Sequence, residues 1–146
     1  MTQAMDLTGN EKVLELGTGC GYQTAILAEL AGKVVTVERI EALARMARET
    51  LNKLGYKNVE VHLSTDKLGW PPEAPYDAIM VTAAAPKIPP ELLDQLNMGG
   101  RLVIPVGSRW EQNLLQVVKR DGEALVRNLT GCRFVPLIGD GAWSEE

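Results

Sequence analysis

The apolar and polar positions of this chain fall into short β-like runs separated by helical periods or turn residues. Residues 13–16, Val13-Leu14-Glu15-Leu16, form a largely apolar run that ends in the turn Gly17-Thr18-Gly19-Cys20-Gly21. A helix-like stretch follows, then a β-branched run at 34–37 closed by Glu38. Residues 40–54 carry a helical period that places Leu43, Met46, Ala47, Thr50, Leu51 and Leu54 on one face, and Gly55 stops the pattern. Residues 59–63 read as a third strand, residues 69–75 as a proline-containing loop and residues 76–82 as an apolar fourth strand. Pro89-Pro90 can open a short helix through Leu96, because proline is tolerated in a first turn. Gly99-Gly100 then turns into a fifth strand at 101–105. Residues 114–119 and 125–129 are separated by Arg120-Asp121-Gly122-Glu123, a hairpin signal. The alternation predicts an α/β fold, a doubly wound, mostly parallel sheet with a carboxy-terminal antiparallel hairpin. The final Trp143-Ser144-Glu145-Glu146 reads as a frayed tail.

A strand, a glycine turn, a helix and a second strand ending in an acid suit a nucleoside ligand. Glycines let the ligand approach the backbone, and a carboxylate can take the ribose hydroxyls. The glycine spacing argues against a pyrophosphate. The pattern G-x-G-x-x-G needs glycines at 17, 19 and 22, and position 22 is Tyr22. The third glycine is Gly21, which gives G-x-G-x-G with Glu15 two residues ahead.

Composition narrows the field further. At 146 residues, 45% of them hydrophobic, the chain has the length and the apolar content of a single domain over 1–146. A net charge of −4 without a basic block argues against a nucleic-acid partner. No apolar stretch approaches the roughly 18 residues of a membrane span. No signal-peptide pattern opens the chain, so a cytoplasmic location is the expectation. Cys20 and Cys132 lie far apart without metal-ligand spacing and read as reduced thiols. His62, the only histidine, reads as an ordinary strand residue, and neither a metal site nor a catalytic base is visible.

The G-x-G-x-G loop resembles motif I of the Rossmann-like methyltransferases that use S-adenosylmethionine. Further segments narrow the resemblance: MTQAMDLTGNEKVLELGTGCGYQTAIL (1–27), VERI (37–40), LGW (68–70), APYDAIMVTAAAP (74–86), LLDQLNMGGRLVIPVG (92–107) and RFVPLIG (133–139). Together they are similar to the protein-L-isoaspartate O-methyltransferases over nearly the whole chain. The resemblance implies a repair enzyme that moves a methyl group from S-adenosylmethionine to the α-carboxylate of L-isoaspartyl residues in damaged proteins, leaving S-adenosylhomocysteine. The methyl ester then collapses to a succinimide that partly reopens to aspartate.

Roles follow from the same resemblance. Glu15, Gly17, Thr18, Gly19 and Gly21 would surround the methionine part and the ribose of the cofactor. Glu38 would hold the ribose hydroxyls, with Arg39 and Ile40 beside the adenine and Thr65 and Asp66 in the adenine loop. Thr82, Ala83 and Ala84 would floor the site near the methyl group, and Ala84, Val135, Pro136 and Leu137 would meet the isoaspartyl peptide. Arg133 could pair with the substrate carboxylate or face solvent. No catalytic acid or base is implied, since a carboxylate with an ordinary pKa near 4 is already ionised at neutral pH.

Two departures stand out. The family has a further amino-terminal region, with a Ser-x-Pro segment in the catalytic pocket, ahead of the residue matching Met1. The chain is therefore expected to be short at that end, to transfer methyl groups poorly and to self-associate through surface that region would cover. The second departure is Ser64-Thr65-Asp66 in place of the family's Gly-Asp-Gly, which moves the acid by one position. A cofactor-binding domain without turnover, or a remnant that binds nothing, are the alternatives. A nicotinamide-linked oxidoreductase ranks last because of Tyr22.

Overall fold

Seven strands form one sheet in a computed structural model that describes residues 1–144. In chain order they are β1 (Lys12–Leu16), β2 (Lys33–Glu38), β3 (Val59–Leu63), β4 (Tyr76–Val81), β5 (Leu96–Gly107), β6 (Gln112–Arg120) and β7 (Glu123–Cys132). Their order across the sheet is β3-β2-β1-β4-β5-β6-β7. The first five pair in parallel, and β6 and β7 join antiparallel. Three α-helices, α1 (Tyr22–Leu30), α2 (Glu41–Lys53) and α3 (Pro90–Asp94), fall between strands. Chain order reverses at β1 and β4, and in open α/β sheets ligands settle at such a switch point, beyond the carboxyl ends of the strands. None of the described helices is long and apolar enough to cross a membrane.

The apolar runs bury both faces of the central strands. Val13, Val34, Ala78, Met80 and Val103 lie on one face and pack with Leu27 of α1 and Met5. Leu14, Leu16, Val35, Val37, Ile79, Val81, Leu102 and Ile104 lie on the other and pack with Leu92 of α3, Leu68 and Leu137. Such two-sided burial produces near-continuous apolar strands rather than alternating ones.

Several expectations change. The buried face of α2 is Ala44, Ala47 and Leu51, whereas Met46 and Leu54 are exposed. Small alanines let the helix sit close to β2 and β3, and the Arg48 guanidinium reaches across to donate to the Val61 carbonyl at 2.8 Å. Gly99-Gly100 does not turn into the fifth strand but lies inside it: Tyr76 pairs with Leu96 and Ala78 with Arg101, so the extra residues bulge out between them. Gly99 takes φ +80°, and a Cβ on Gly100 would stand 2.8 Å from the Asn97 carbonyl, which explains both glycines. The supposed tail folds back. Trp143 bridges to Ile138, donates its N–H to the Leu137 carbonyl at 2.9 Å and lies under the Arg109 guanidinium. Glu145 and Glu146 lie outside the described residues.

Candidate functional site

The turn after β1 passes close beneath β4, and glycine is what permits it. Gly17 has φ +100°, and a Cβ there would overlap the Thr82 hydroxyl. Thr82 clasps the turn by donating its N–H to the Leu16 carbonyl at 3.1 Å and its hydroxyl to the same carbonyl at 2.9 Å. Gly19 has φ +55° and open space where a side chain would be. Gly21, at φ +89°, caps α1, and a Cβ there would point at Ala47 and Leu51 of α2.

Glu38 ends β2 directly opposite this turn. Its Oε1 accepts the Gly19 N–H at 2.8 Å and its Oε2 accepts the Ile40 N–H at 2.9 Å, with the side chain largely buried. A carboxylate offers about four acceptor positions, so two remain, one on each oxygen. Glu15 plays a different part. It is fully buried, and its Oε1 accepts the hydroxyls of Thr24 at 2.5 Å and Thr36 at 2.8 Å. The Thr36 and Thr18 hydroxyls are themselves 2.7 Å apart. One hydrogen-bonded chain thus ties β1, β2, α1 and the glycine turn together. Burial pushes the Glu15 carboxyl up to about 7, against the pull of its two threonine donors, and its Oε2 has no partner.

A cleft of about 620 Å³ opens over the carboxyl ends of β1, β2 and β4. Gly17, Gly19, Glu38, Arg39, Ile40, Thr65, Asp66, Thr82, Ala83, Val135, Pro136 and Leu137 all line it. The structure therefore brings twelve of the sixteen sequence-predicted residues to one cavity. The other four do not line it. Glu15 and Thr18 are locked in the buried network, Gly21 faces α2, and Ala84 is covered by the segment it supports. Ala84 accepts the Leu137 N–H and donates to the Val135 carbonyl, both at 2.7 Å, so it carries Val135, Pro136 and Leu137 as a short parallel bridge. Arg133 donates its Nε–H to the Trp110 carbonyl at 3.0 Å and does not line the cleft.

Sequence reasoning missed the wall made by Leu68 and Gly69, and also Leu43, Lys67, Ile138 and Gly139. The signal was present in LGW and in the helical face of α2, but neither pattern says which side of the chain is concave. His62 is not an isolated strand residue either. Its ring stacks on Trp70 with centroids 4.1 Å apart, and Nε2 lies 3.5 Å from Glu60 and 3.6 Å from Glu73. Lys33 joins both carboxylates, at 2.5 and 2.7 Å. These pairs hold the Lys33 ammonium above its ordinary pKa and the Glu60 carboxyl below its own. Glu60, His62 and Glu73 are metal-ligand residue types gathered within 4.8 Å, with the Lys33 ammonium set against both acids.

The model of the family described as protein-L-isoaspartate(D-aspartate) O-methyltransferase matches residues 1–142. The chain belongs to that family. It is 54% identical over 147 residues to the protein-L-isoaspartate O-methyltransferase of Geobacter metallireducens, covering 100% of this chain and 68% of the relative. It is 56% identical over 147 residues to protein-L-isoaspartate O-methyltransferase 2 of Geotalea uraniireducens, again covering 100% and 68%. Among solved structures, a protein-L-isoaspartate O-methyltransferase superposes with a TM-score of 0.87 at 28% identity, over 97% of this chain and 46% of that one. A Plasmodium falciparum protein given provisionally the same name, solved with S-adenosyl-L-homocysteine, superposes with a TM-score of 0.77 at 23% identity, over 92% and 69%. At that identity the likeness is one of fold. The chain spans about two thirds of its curated relatives and under half of the first of these structures.

Proposed function

We propose that the cleft binds S-adenosylmethionine and that the chain serves methyl transfer to the α-carboxylate of L-isoaspartyl residues. The observation that carries the reading is Glu38. It is buried and fixed by two backbone N–H groups, and it keeps one acceptor position on each oxygen at the cleft wall, which suits a pair of neighbouring ribose hydroxyls. The open backbone at Gly19 and the clasped Gly17 leave room for a ligand's chain to pass along the turn. A volume of about 620 Å³ falls in the usual range for a small-molecule site.

The cofactor, when bound, supplies a methyl group already activated by its sulfonium. The protein's own work is then placement. Thr82 and Ala83 form a low floor, so that a peptide can approach from the side of Val135 and Pro136. The substrate carboxylate needs no general base, which fits a cleft whose wall holds no histidine. Alignment of nucleophile, methyl and leaving sulfur is worth up to about 7–11 kcal/mol. The small residues and the bridged 135–137 segment are the parts that would provide it.

A second reading, cofactor binding with weak or no transfer, is supported by one observation. Val135, on the proposed peptide side, is 70% exposed, and its segment is held by the bridge of Pro136 to Ala84 and by the Phe134 N–H donated to Gln112 Oε1 at 2.7 Å. A peptide wall that exposed gives a substrate little enclosing surface. The two readings separate in a methylation assay with an isoaspartyl peptide and its aspartyl isomer, run beside a calorimetric titration with S-adenosylhomocysteine. Binding with isoaspartyl-selective turnover supports the first reading, and binding alone supports the second. Failure to bind excludes both.

A further inference from the structure

The side chain of Gln95 lies outside the cleft, yet it holds one of the cleft's walls. Gln95 ends α3 and is 6% exposed. Its Nε2 donates to the Leu68 carbonyl at 2.9 Å and to the Glu91 carbonyl at 3.0 Å, while its Oε1 accepts the Trp70 N–H at 2.9 Å. One amide thus satisfies a carbonyl and an N–H two residues apart in the same loop and anchors both to α3. Gly69, between them, lies flat on the amide: its φ is +80°, and a Cβ there would stand 2.6 Å from Oε1. Leu68 and Gly69 line the cleft, and the same loop carries Ser64, Thr65 and Asp66 to it. The far end of the clamp is also fixed, since the Tyr76 hydroxyl donates to the Trp70 carbonyl at 2.5 Å and the Trp70 ring stacks on His62.

We propose that Gln95 is a positioning residue for the cofactor cleft, acting through the backbone of residues 68–70; this rests on the reading of the cleft as an S-adenosylmethionine site. The chemistry is specific to an amide. Leucine satisfies none of the three groups. Glutamate keeps the acceptor for the Trp70 N–H but sets a second oxygen against two carbonyl oxygens. Buried backbone groups that lose their partners move to find others, and the movement open to this loop is away from α3, which deforms the wall.

The test compares Gln95→Leu, Gln95→Glu and a control, Val117→Ala, in the full chain. Val117 is fully buried in β6, shares the core face of Leu68 and does not line the cleft, so its truncation lowers stability while leaving the hydrogen bonds of Gln95 to the loop intact. Affinity for S-adenosylhomocysteine is read by calorimetry, Tm by calorimetric scan. A Trp110→Phe, Trp143→Phe background leaves Trp70 as the sole tryptophan, and its emission reports the clamp directly. Both Gln95 variants should bind about tenfold more weakly and shift Trp70 emission to the red. Val117→Ala should lose Tm while affinity and emission hold. Unchanged affinity in the Gln95 variants, or an equal loss in Val117→Ala, overturns the proposal. If the parent chain does not bind S-adenosylhomocysteine, the cofactor reading fails, and the Trp70 shift still decides whether the clamp exists. If neither Gln95 variant folds, Gln95 is a core residue and the positioning role is refuted.

Discussion

Replacing Glu38 with alanine tests the geometry of the cleft where it is most explicit. In the parent chain the carboxylate holds the N–H groups of Gly19 and Ile40 at 2.8 and 2.9 Å, which leaves one acceptor position on each oxygen for the proposed ligand. Alanine removes both roles. The freed N–H groups belong to residues that line an open cleft, so water can replace the lost acceptor and the fold should survive with a modest fall in Tm. The ligand fares worse, because hydrogen bonds to a charged acceptor contribute about 1.5–3 kcal/mol. That range corresponds to about 10- to 150-fold weaker binding. The assay is calorimetric titration of S-adenosylhomocysteine into both proteins, with the thermal scan as a check on folding. An affinity unchanged in a folded Glu38→Ala protein would remove Glu38 from the site and, with it, the main support for a ribose at this position.

Restoring Ser64→Gly, Thr65→Asp and Asp66→Gly together should tighten S-adenosylhomocysteine binding, because a charged acceptor is roughly twice as strong as a hydroxyl; equal affinity would mean Thr65 or Asp66 already suffices. Gly17→Ala should weaken binding at least about tenfold, through left-handed strain and collision with the Thr82 hydroxyl, and adding Thr82→Ala should recover part of the loss; no recovery would refute the collision. Glu15, with its carboxyl raised to about 7 by burial, keeps its proton in the folded state where the unfolded chain has already lost it. Its contribution to stability should therefore be full below about pH 4.5 and fall by roughly 3 kcal/mol as pH rises to about 7; Glu15→Gln should flatten that part of the Tm profile, and an unaltered slope would contradict it.

Much of the site was legible because single residue types carried it. Gly17 and Gly19 stand at positive φ beneath a strand end, and Glu38 closes a strand facing them; both follow from the order of a glycine turn and a β-branched run. Legibility failed where burial, not type, decides. Glu15 and Glu38 are both acids at the carboxyl ends of adjacent strands. The pleat sends Glu15 beneath α1, to Thr24 and Thr36, and leaves Glu38 at the cleft. The direction of Glu15 depends on where α1 lies, which its own sequence neighbours do not specify. The same holds for Gln95, whose three partners lie in residues 68, 70 and 91. On the fold, the mostly parallel α/β sheet and the hairpin were readable, whereas the bulge at Gly99-Gly100 depends on the distant β4 and the return of Trp143 on the backbone of Leu137 and Ile138 and the guanidinium of Arg109.

One paired titration decides whether this cleft is an S-adenosylmethionine site serving isoaspartyl methylation. S-adenosylhomocysteine and a nicotinamide dinucleotide are each titrated by calorimetry into the full chain, with a tritiated-methyl assay on an isoaspartyl peptide from the same preparation. The expected result is one-to-one binding of S-adenosylhomocysteine, no binding of the dinucleotide, and label on the isoaspartyl peptide but not on its aspartyl isomer. Preference for the dinucleotide, or absence of S-adenosylhomocysteine binding in a folded chain, would contradict it.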